Sequence, residues 1–237
     1  MKNDAYFHSS FKKRPEREGV WKVIARYLQR YIPPDSILLD LGAGYCNFIN
    51  NIKAKEKHAV DLFDDIEKYA ASGIATYKQS ILHLDNLKSS YFDAIFASNI
   101  LEHLSHEEMQ SVIPQLKRIL KAGGKLIIIQ PNFRYAYKVY FDDYTHKQIF
   151  TANGLAELLA SYGFAIRVRQ DRFLPFSMRA AIPKLPFLVT LYLFSPLKPF
   201  GGQMLFVAQL ENPAGQSTRA YEELRGCTRL GKESLDV

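Results

Sequence analysis

The chain has 237 residues, with 31 Lys+Arg against 24 Asp+Glu, a formal charge of +7, 47% hydrophobic residues and 13% aromatics. This composition excludes wholesale disorder, and the length fits one α/β domain with additions as well as two small ones. The basic excess sits in residues 11–30 and 164–200, each net +5, and everything else is net −3, so a chain coated evenly with cations for nucleic acid is excluded too.

In chain order, the first 15 residues are polar and basic with Phe7 and Phe11 interspersed, and no apolar run there suggests a signal peptide. Val20, Trp21, Ile24, Tyr27, Leu28 and Tyr31 recur at helical spacing until Pro33-Pro34 stops them. Ile37-Leu38-Leu39 is a short, fully apolar run, as expected of a parallel strand covered on both faces. Further strands are expected at His58 to Val60, Ile74 to Tyr77, Phe92 to Ala97 and Lys125 to Ile129. Between the last two, Ser105 and Glu108 form a capping box for a helix whose stripe is Val112, Leu116, Ile119 and Leu120, with Lys117, Arg118 and Lys121 in its last turn before Gly123-Gly124. A second clear helix runs from Thr151 to Gly163, and Phe164 to Val168 and Met204 to Leu210 complete the strands. Strands alternating with helices imply βαβ units and a mostly parallel sheet.

The two cysteines, Cys46 and Cys227, offer neither a disulfide framework nor metal-ligand spacing, so a reducing, cytoplasmic setting is expected. The longest uncharged apolar stretch, Leu185 to Leu197, is broken by Pro186 and Pro196 and is shorter than the roughly 18 residues a bilayer span needs.

The strongest local signal is Asp40-Leu41-Gly42-Ala43-Gly44 at the end of the first strand, where open α/β sheets bind cofactors. Asp61 follows at the end of the second strand, where a carboxylate can accept both hydroxyls of a ribose. A pyrophosphate fingerprint would need a third glycine where Asn47 stands, and an acid just before the first glycine would repel phosphate. That acid suits a ligand carrying a cation, so the pattern favours S-adenosylmethionine over NAD.

With Phe92-Asp93-Ala94-Ile95-Phe96-Ala97-Ser98-Asn99-Ile100-Leu101-Glu102-His103-Leu104 and Leu120-Lys121-Ala122-Gly123-Gly124 added, four elements in order resemble a class I S-adenosylmethionine-dependent methyltransferase over roughly residues 20 to 210. The resemblance implies a Rossmann-like, seven-stranded, mostly parallel sheet with helices on both faces and the last strand antiparallel. It implies cofactor contacts from Asp40, Gly42, Ala43, Gly44, Asp61, Leu62 and Asn99. Ser80 and Ile81 stand where many members place an acid against the adenine amine, and Cys46 stands where many carry a glycine. The expected organisation is a basic helical extension over residues 1–34, a methyltransferase domain over 35–210 with acceptor-side insertions at 131–150 and 170–202, and a polar tail over 211–237.

Glu102-His103 lies on the cleft side of the fourth strand. The similar segment of ubiquinone-pathway and small-RNA O-methyltransferases reads Glu-x-x-Glu-His and ligates a divalent metal; here Asn99 replaces the first acid, so no metal is expected. His103, His146 and Glu102 are the catalytic candidates, an imidazole serving as base toward an acceptor hydroxyl. A purely structural role in the loop and helix entry is the competing reading. Asp142-Asp143-Tyr144-Thr145-His146, with a similar Asp-x-x-His in bacterial relatives, invites the same two readings. Asn132, Arg134 and Tyr135 are candidate acceptor contacts, or a solvated lid. No catalysis is placed on Cys46.

The expected activity is transfer of a methyl group to an oxygen or nitrogen of a small-molecule, glycan or lipid-linked, anionic acceptor. The alternative is a non-catalytic scaffold of the same fold that docks on anionic lipid or RNA. The apolar stretch 173–200 fits core or dimer packing first and peripheral membrane contact second, and a homodimer is one expected assembly. Nucleic acid is not an expected partner.

Overall fold

Seven apolar runs become one sheet in the computed structural model, which describes residues 15–175 and 185–211. The strands are β1 (Ile37–Leu41), β2 (Glu56–Asp61), β3 (Ile74–Lys78), β4 (Phe92–Ser98), β5 (Leu120–Pro131), β6 (Phe164–Pro175) and β7 (Gly201–Leu210), in the order β3-β2-β1-β4-β5-β7-β6. Pairs from β3 through β5 are parallel, and β7 is antiparallel to both β5 and β6. The expected Rossmann-like sheet with an antiparallel last strand is therefore present.

Alternation along the strands shows why both faces need cover. Leu39, Leu41, Ile95, Ala97, Leu126, Ile128, Met204 and Phe206 belong to one core. Their neighbours Leu38, Ala94, Phe96, Ile127, Ile129, Leu205 and Val207 belong to the other. A strand apolar on both sides is stable only between two helix layers. The first core is closed by α4 (His106–Ile119) and α6 (Ala152–Ser161). The second is closed by α1 (Pro15–Leu28), α2 (Asn47–Asn51), α3 (Ile66–Tyr69) and α7 (Pro186–Phe194). Trp21 on α1 meets Phe48 and Phe96 edge-on at 6.3 and 6.2 Å.

The capping box of α4 is present: Ser105 Oγ accepts from the Glu108 N–H at 3.2 Å, and Glu108 Oε2 accepts from the Ser105 N–H at 2.7 Å. That helix ends sooner than its apolar stripe suggests. Leu120 already pairs with Phe92 as the first residue of β5, and Lys121 leaves the helix to bridge Asp93 at 2.7 Å. Tertiary pairing with a neighbouring strand outweighs the helical period there. Strand β6 runs on to Pro175, well past Val168, because β7 pairs with it that far.

Among the described residues no helix is long and apolar enough to cross a membrane. The start of the basic extension, residues 176–184 and the tail beyond Glu211, with Cys227, lie outside the described residues.

The carboxyl ends of β1, β2, β4 and β5 share one rim of the sheet. The chain returns to that rim where Gln203 pairs with Pro131 and Gly201 with Pro175. Strand order reverses between β1 and β4, which is where an open α/β sheet leaves a crevice.

Candidate functional site

The loop leaving β1 forms the floor of that crevice. Gly42 and Gly44 have φ of +74° and +51°, and Cys46, at +56°, caps α2 in the left-handed region. The loop is tied to the end of β2: Gly42 and Ala43 donate to the Val60 carbonyl at 2.8 and 3.1 Å, and Gly44 donates to Asp61 Oδ2 at 2.7 Å. Asp61 Oδ1 accepts from the Phe63 N–H at 2.8 Å. Asp61 therefore clamps two loops, and with the Leu62 amide as a third donor it keeps one acceptor site for a ligand. Leu62, 47% exposed beside it, is an apolar platform on the same edge.

Asp40 is buried behind the loop and faces α2, where the Ile49 backbone bonds it. Burial, then the Asp61 charge, raises its carboxyl well above the ordinary range. Burial also raises Asp61, against the pull of the Gly44 and Phe63 amides. Burial and mutual repulsion oppose ionisation of these two acids, and a cationic group bound beside the glycine loop would favour their charged forms. Burial and these two acids push the Cys46 thiol up to about 12, so it is a protonated filler.

The turn after β4 leans over this loop. A Cβ on Gly42 would lie 2.3 Å from two atoms of the Ile100 side chain, so only glycine admits that approach. The next residues, Leu101–His103, form a 3-10 turn, and the insertion after β5 docks on it through Lys147 and Gln148 N–H bonds to the Glu102 carbonyl at 2.8 and 3.0 Å. Docking brings His146 to His103, ring centroids 4.9 Å apart, and one donor atom each of Glu102, His103 and His146 falls within 4.8 Å of the others.

The tautomer of His103 follows from its neighbours. Thr145 Oγ1 lies 2.5 Å from Asp143 Oδ1, which can only accept, so the single hydroxyl proton goes there. Oγ1 then accepts from His103 Nδ1–H at 2.9 Å, which leaves the lone pair of the neutral ring on Nε2. Burial, then the His146 ring, lowers the His103 pKa, and burial lowers His146. Asp143 stays below its ordinary range despite burial, held by the Thr145 bonds and the two imidazoles.

Glu102 is 1% exposed and neither of its oxygens has a hydrogen-bond partner among the described residues. Burial pushes its carboxyl up to about 8, and the nearby Asp143 charge adds to the rise. A carboxyl in such a place is held as the neutral acid or balanced by a cation.

The remaining candidates are placed less directly. Asn99, at φ +52°, accepts from Gln203 Nε2 at 2.6 Å and donates to Ser98 Oγ at 3.1 Å, so its amide is tied to β4 and β7. Ser80 accepts from the Leu82 N–H, and Ile81 packs on the first core. Asn132 is buried, accepts from Arg134 N–H at the start of α5 (Phe133–Ala136) and donates to the Asp171 carbonyl. It therefore shapes the insertion, while Arg134 and Tyr135 are the exposed pair. Gln203 and the relay role of Thr145 carry no sequence signal. Gln130 could have been found: it is a polar residue ending an apolar strand, fully buried with both amide atoms unpartnered among the described residues.

A family model described as a methyltransferase domain matches residues 13–168. A protein of Encephalitozoon cuniculi (strain GB-M1) that carries a methyltransferase name is 27% identical over 114 residues, which is 47% of this chain and 53% of that protein. The chain spans about half the length of the curated relatives it matches, 53% and 42% for two of them. Among solved structures, a SAM-dependent methyltransferase from Archaeoglobus fulgidus superposes with a TM-score of 0.57 at 20% identity, covering 80% of this chain and 94% of that one. The 1,6-didemethyltoxoflavin-N1-methyltransferase of Burkholderia thailandensis, bound to 1,6-didemethyltoxoflavin and S-adenosylhomocysteine, gives 0.58 at 15%, covering 88% and 85%. At these identities the likeness carries the fold.

Proposed function

The chain belongs to the methyltransferase-domain family, and we propose that it is an enzyme that uses S-adenosylmethionine to methylate a hydroxyl or amine of a small-molecule or lipid-linked acceptor. The observation that carries this reading is the acidic glycine cradle at Asp40, Gly42, Gly44 and Asp61, beside the cluster that Glu102 and His103 on the turn after β4 form with His146 of the insertion after β5. When bound, S-adenosylmethionine supplies a methyl group on a positively charged sulfur, and the paired buried acids suit that charge. Gly42, Ala43 and Gly44 would form its bed, Asp61 would turn its remaining acceptor site toward the ribose, and Leu62 would pack against the base.

His103 Nε2 takes the proton from the acceptor as the acceptor atom gains its methyl. The imidazolium that results is stabilised by the Asp143 carboxylate, which stays ionised and holds the Thr145 hydroxyl that His103 Nδ1–H bonds. Both imidazoles are neutral near pH 7, because burial lowers them, and are therefore able to accept that proton. Most of the acceleration comes from alignment of methyl and acceptor in one cleft. Arg134 and Tyr135 on the insertion after β5, exposed at the same rim, are the proposed acceptor contacts.

One observation favours a second reading of the acidic cluster. Glu102 with His103 and His146 is a donor set that fits a divalent cation, which would neutralise the buried carboxylate and hold an acceptor oxygen. Turnover that survives chelation by EDTA leaves the imidazole as the base; turnover abolished by EDTA and restored by Mn²⁺ or Mg²⁺ favours the cation.

Calorimetric titration with S-adenosylhomocysteine tests the cofactor half. Binding with a rise in melting temperature is expected, and a folded sample that gives neither would sink the proposal.

A further inference from the structure

On the α1 and α7 side of the sheet lies a hollow of about 410 Å³ whose lining includes Tyr27, Arg30, Gln170, Arg172, Phe194 and Lys198. No carboxylate lines it, and none of its three cations is ion-paired with an acid among the described residues. The cations come from the two basic stretches of the sequence, which the fold brings to one place. Each is held in position by something other than an acid. Arg30 lies 4.0 Å above the Tyr27 ring and 5.3 Å from that of Phe194, and its Nε donates to the Tyr27 carbonyl at 2.9 Å. Lys198 Nζ donates to the Tyr192 and Leu193 carbonyls at 2.6 and 2.8 Å, at the carboxyl end of α7. Arg172 sits 5.0 Å over Tyr135 of the insertion after β5, at the edge of the acceptor side.

The surface beside the hollow is apolar. Phe187, Leu191, Phe194 and Leu197 are 69%, 62%, 63% and 75% exposed. A basic hollow bordered by exposed hydrocarbon does not suit nucleic acid, whose partners carry basic stripes and stacking platforms. It suits a molecule with an anionic head and an apolar chain: guanidinium forks match phosphate oxygens, and large exposed apolar side chains next to cations partition into an anionic lipid interface. We propose that this hollow binds the phosphate headgroup of a bilayer lipid, whose chains lie along Phe187, Leu191, Phe194 and Leu197. The inference does not depend on methyl transfer, and the cofactor titration on the same variants keeps the two readings apart.

The test is co-sedimentation of the full chain with vesicles of phosphatidylcholine alone and of phosphatidylcholine doped with phosphatidic acid, over a salt series. Binding is expected only to the doped vesicles and should weaken with salt. Arg30→Gln and Arg172→Gln should each lower it about fivefold; Lys198 is left intact because it caps α7. Leu191→Ser should lower it too, with the melting temperature and S-adenosylhomocysteine affinity of all three variants unchanged. Glycerol 3-phosphate, the same headgroup chemistry without chains, should compete only weakly. Equal binding to undoped vesicles, wild-type binding in both arginine variants, no binding to either vesicle, or glycerol 3-phosphate binding as tight as the vesicles would each overturn the proposal.

Discussion

Gly42→Ala tests the cofactor loop most sharply, because two separate costs can be read from the structure. The left-handed backbone at φ +74° costs an L-residue about 1–2 kcal/mol. The new Cβ would also stand 2.3 Å from Ile100 Cδ1 and Cγ1, a clash that requires Ile100 and its turn to move, at about 1–3 kcal/mol. The sum is about 2–5 kcal/mol. Gly73 provides the control: its φ is +84°, and a Cβ there meets nothing within 4 Å, so Gly73→Ala should carry the backbone cost alone. Urea melts of the two variants then isolate the steric part as their difference. Adding Ile100→Ala to Gly42→Ala should return most of that part and appear as a coupling of about 1–3 kcal/mol in a double-mutant cycle. Calorimetry should show Gly42→Ala losing S-adenosylhomocysteine affinity, since the same loop carries the Gly44 bond to Asp61. If Gly42→Ala is no more destabilising than Gly73→Ala, the argument that Ile100 demands a glycine is wrong.

Three further outcomes are expected. Asp61→Ala removes the acceptor of two backbone N–H groups at 2.7 and 2.8 Å and should weaken S-adenosylhomocysteine binding by at least about tenfold, with Asp61→Asn intermediate; unchanged affinity would remove Asp61 from the site. Thr145→Val should lower kcat by about 10–100-fold with little change in KM, while Thr145→Ser restores it, because the hydroxyl links His103 Nδ1–H to the Asp143 carboxylate, whereas the Thr145 carbonyl, 3.3 Å from Nδ1, remains in both variants; equal loss in both variants would mean that the methyl packing matters instead. Glu102, raised from 4.5 to about 8, keeps in the folded state a proton that the unfolded chain has released, so wild-type stability falls as pH rises through that window. Glu102→Gln removes this loss, and in the presence of EDTA the stability difference between variant and wild type should grow by about 4 kcal/mol from about pH 5 to about pH 9. A flat difference would mean that the carboxyl is ionised throughout.

Much of the fold was legible in the sequence because its signals are local. Leu38-Leu39, Ile95-Phe96 and Ile127-Ile128 alternate between two cores, and a strand apolar on both faces calls for cover on both. The capping box at Ser105 and Glu108 needs only four consecutive residues. Boundaries were less legible where a neighbour decides them: Leu120 and Lys121 read as helix but join β5 because Phe92 and Asp93 are there to pair with them.

The candidate site divides in the same way. Asp40, Gly42, Gly44 and Asp61 lie at strand ends whose positions follow from the alternation, and their spacing alone suggested a cofactor loop. Asn99 and Asn132 also drew attention by position, but the structure ties their amides to Ser98 and Gln203 and to Arg134 and Asp171. By itself, then, the sequence determined the sheet, its glycine loop and the acids around it, since periodicity and backbone conformation are properties of short segments. Only tertiary structure decided that Thr145 orients His103 from 42 residues away, that Glu102 is buried against two imidazoles, and that Arg30 meets Arg172 and Lys198 around one hollow. Those meetings depend on how two insertions pack across the rim and flank of the sheet, and packing is set by the shapes of distant side chains rather than by any local period.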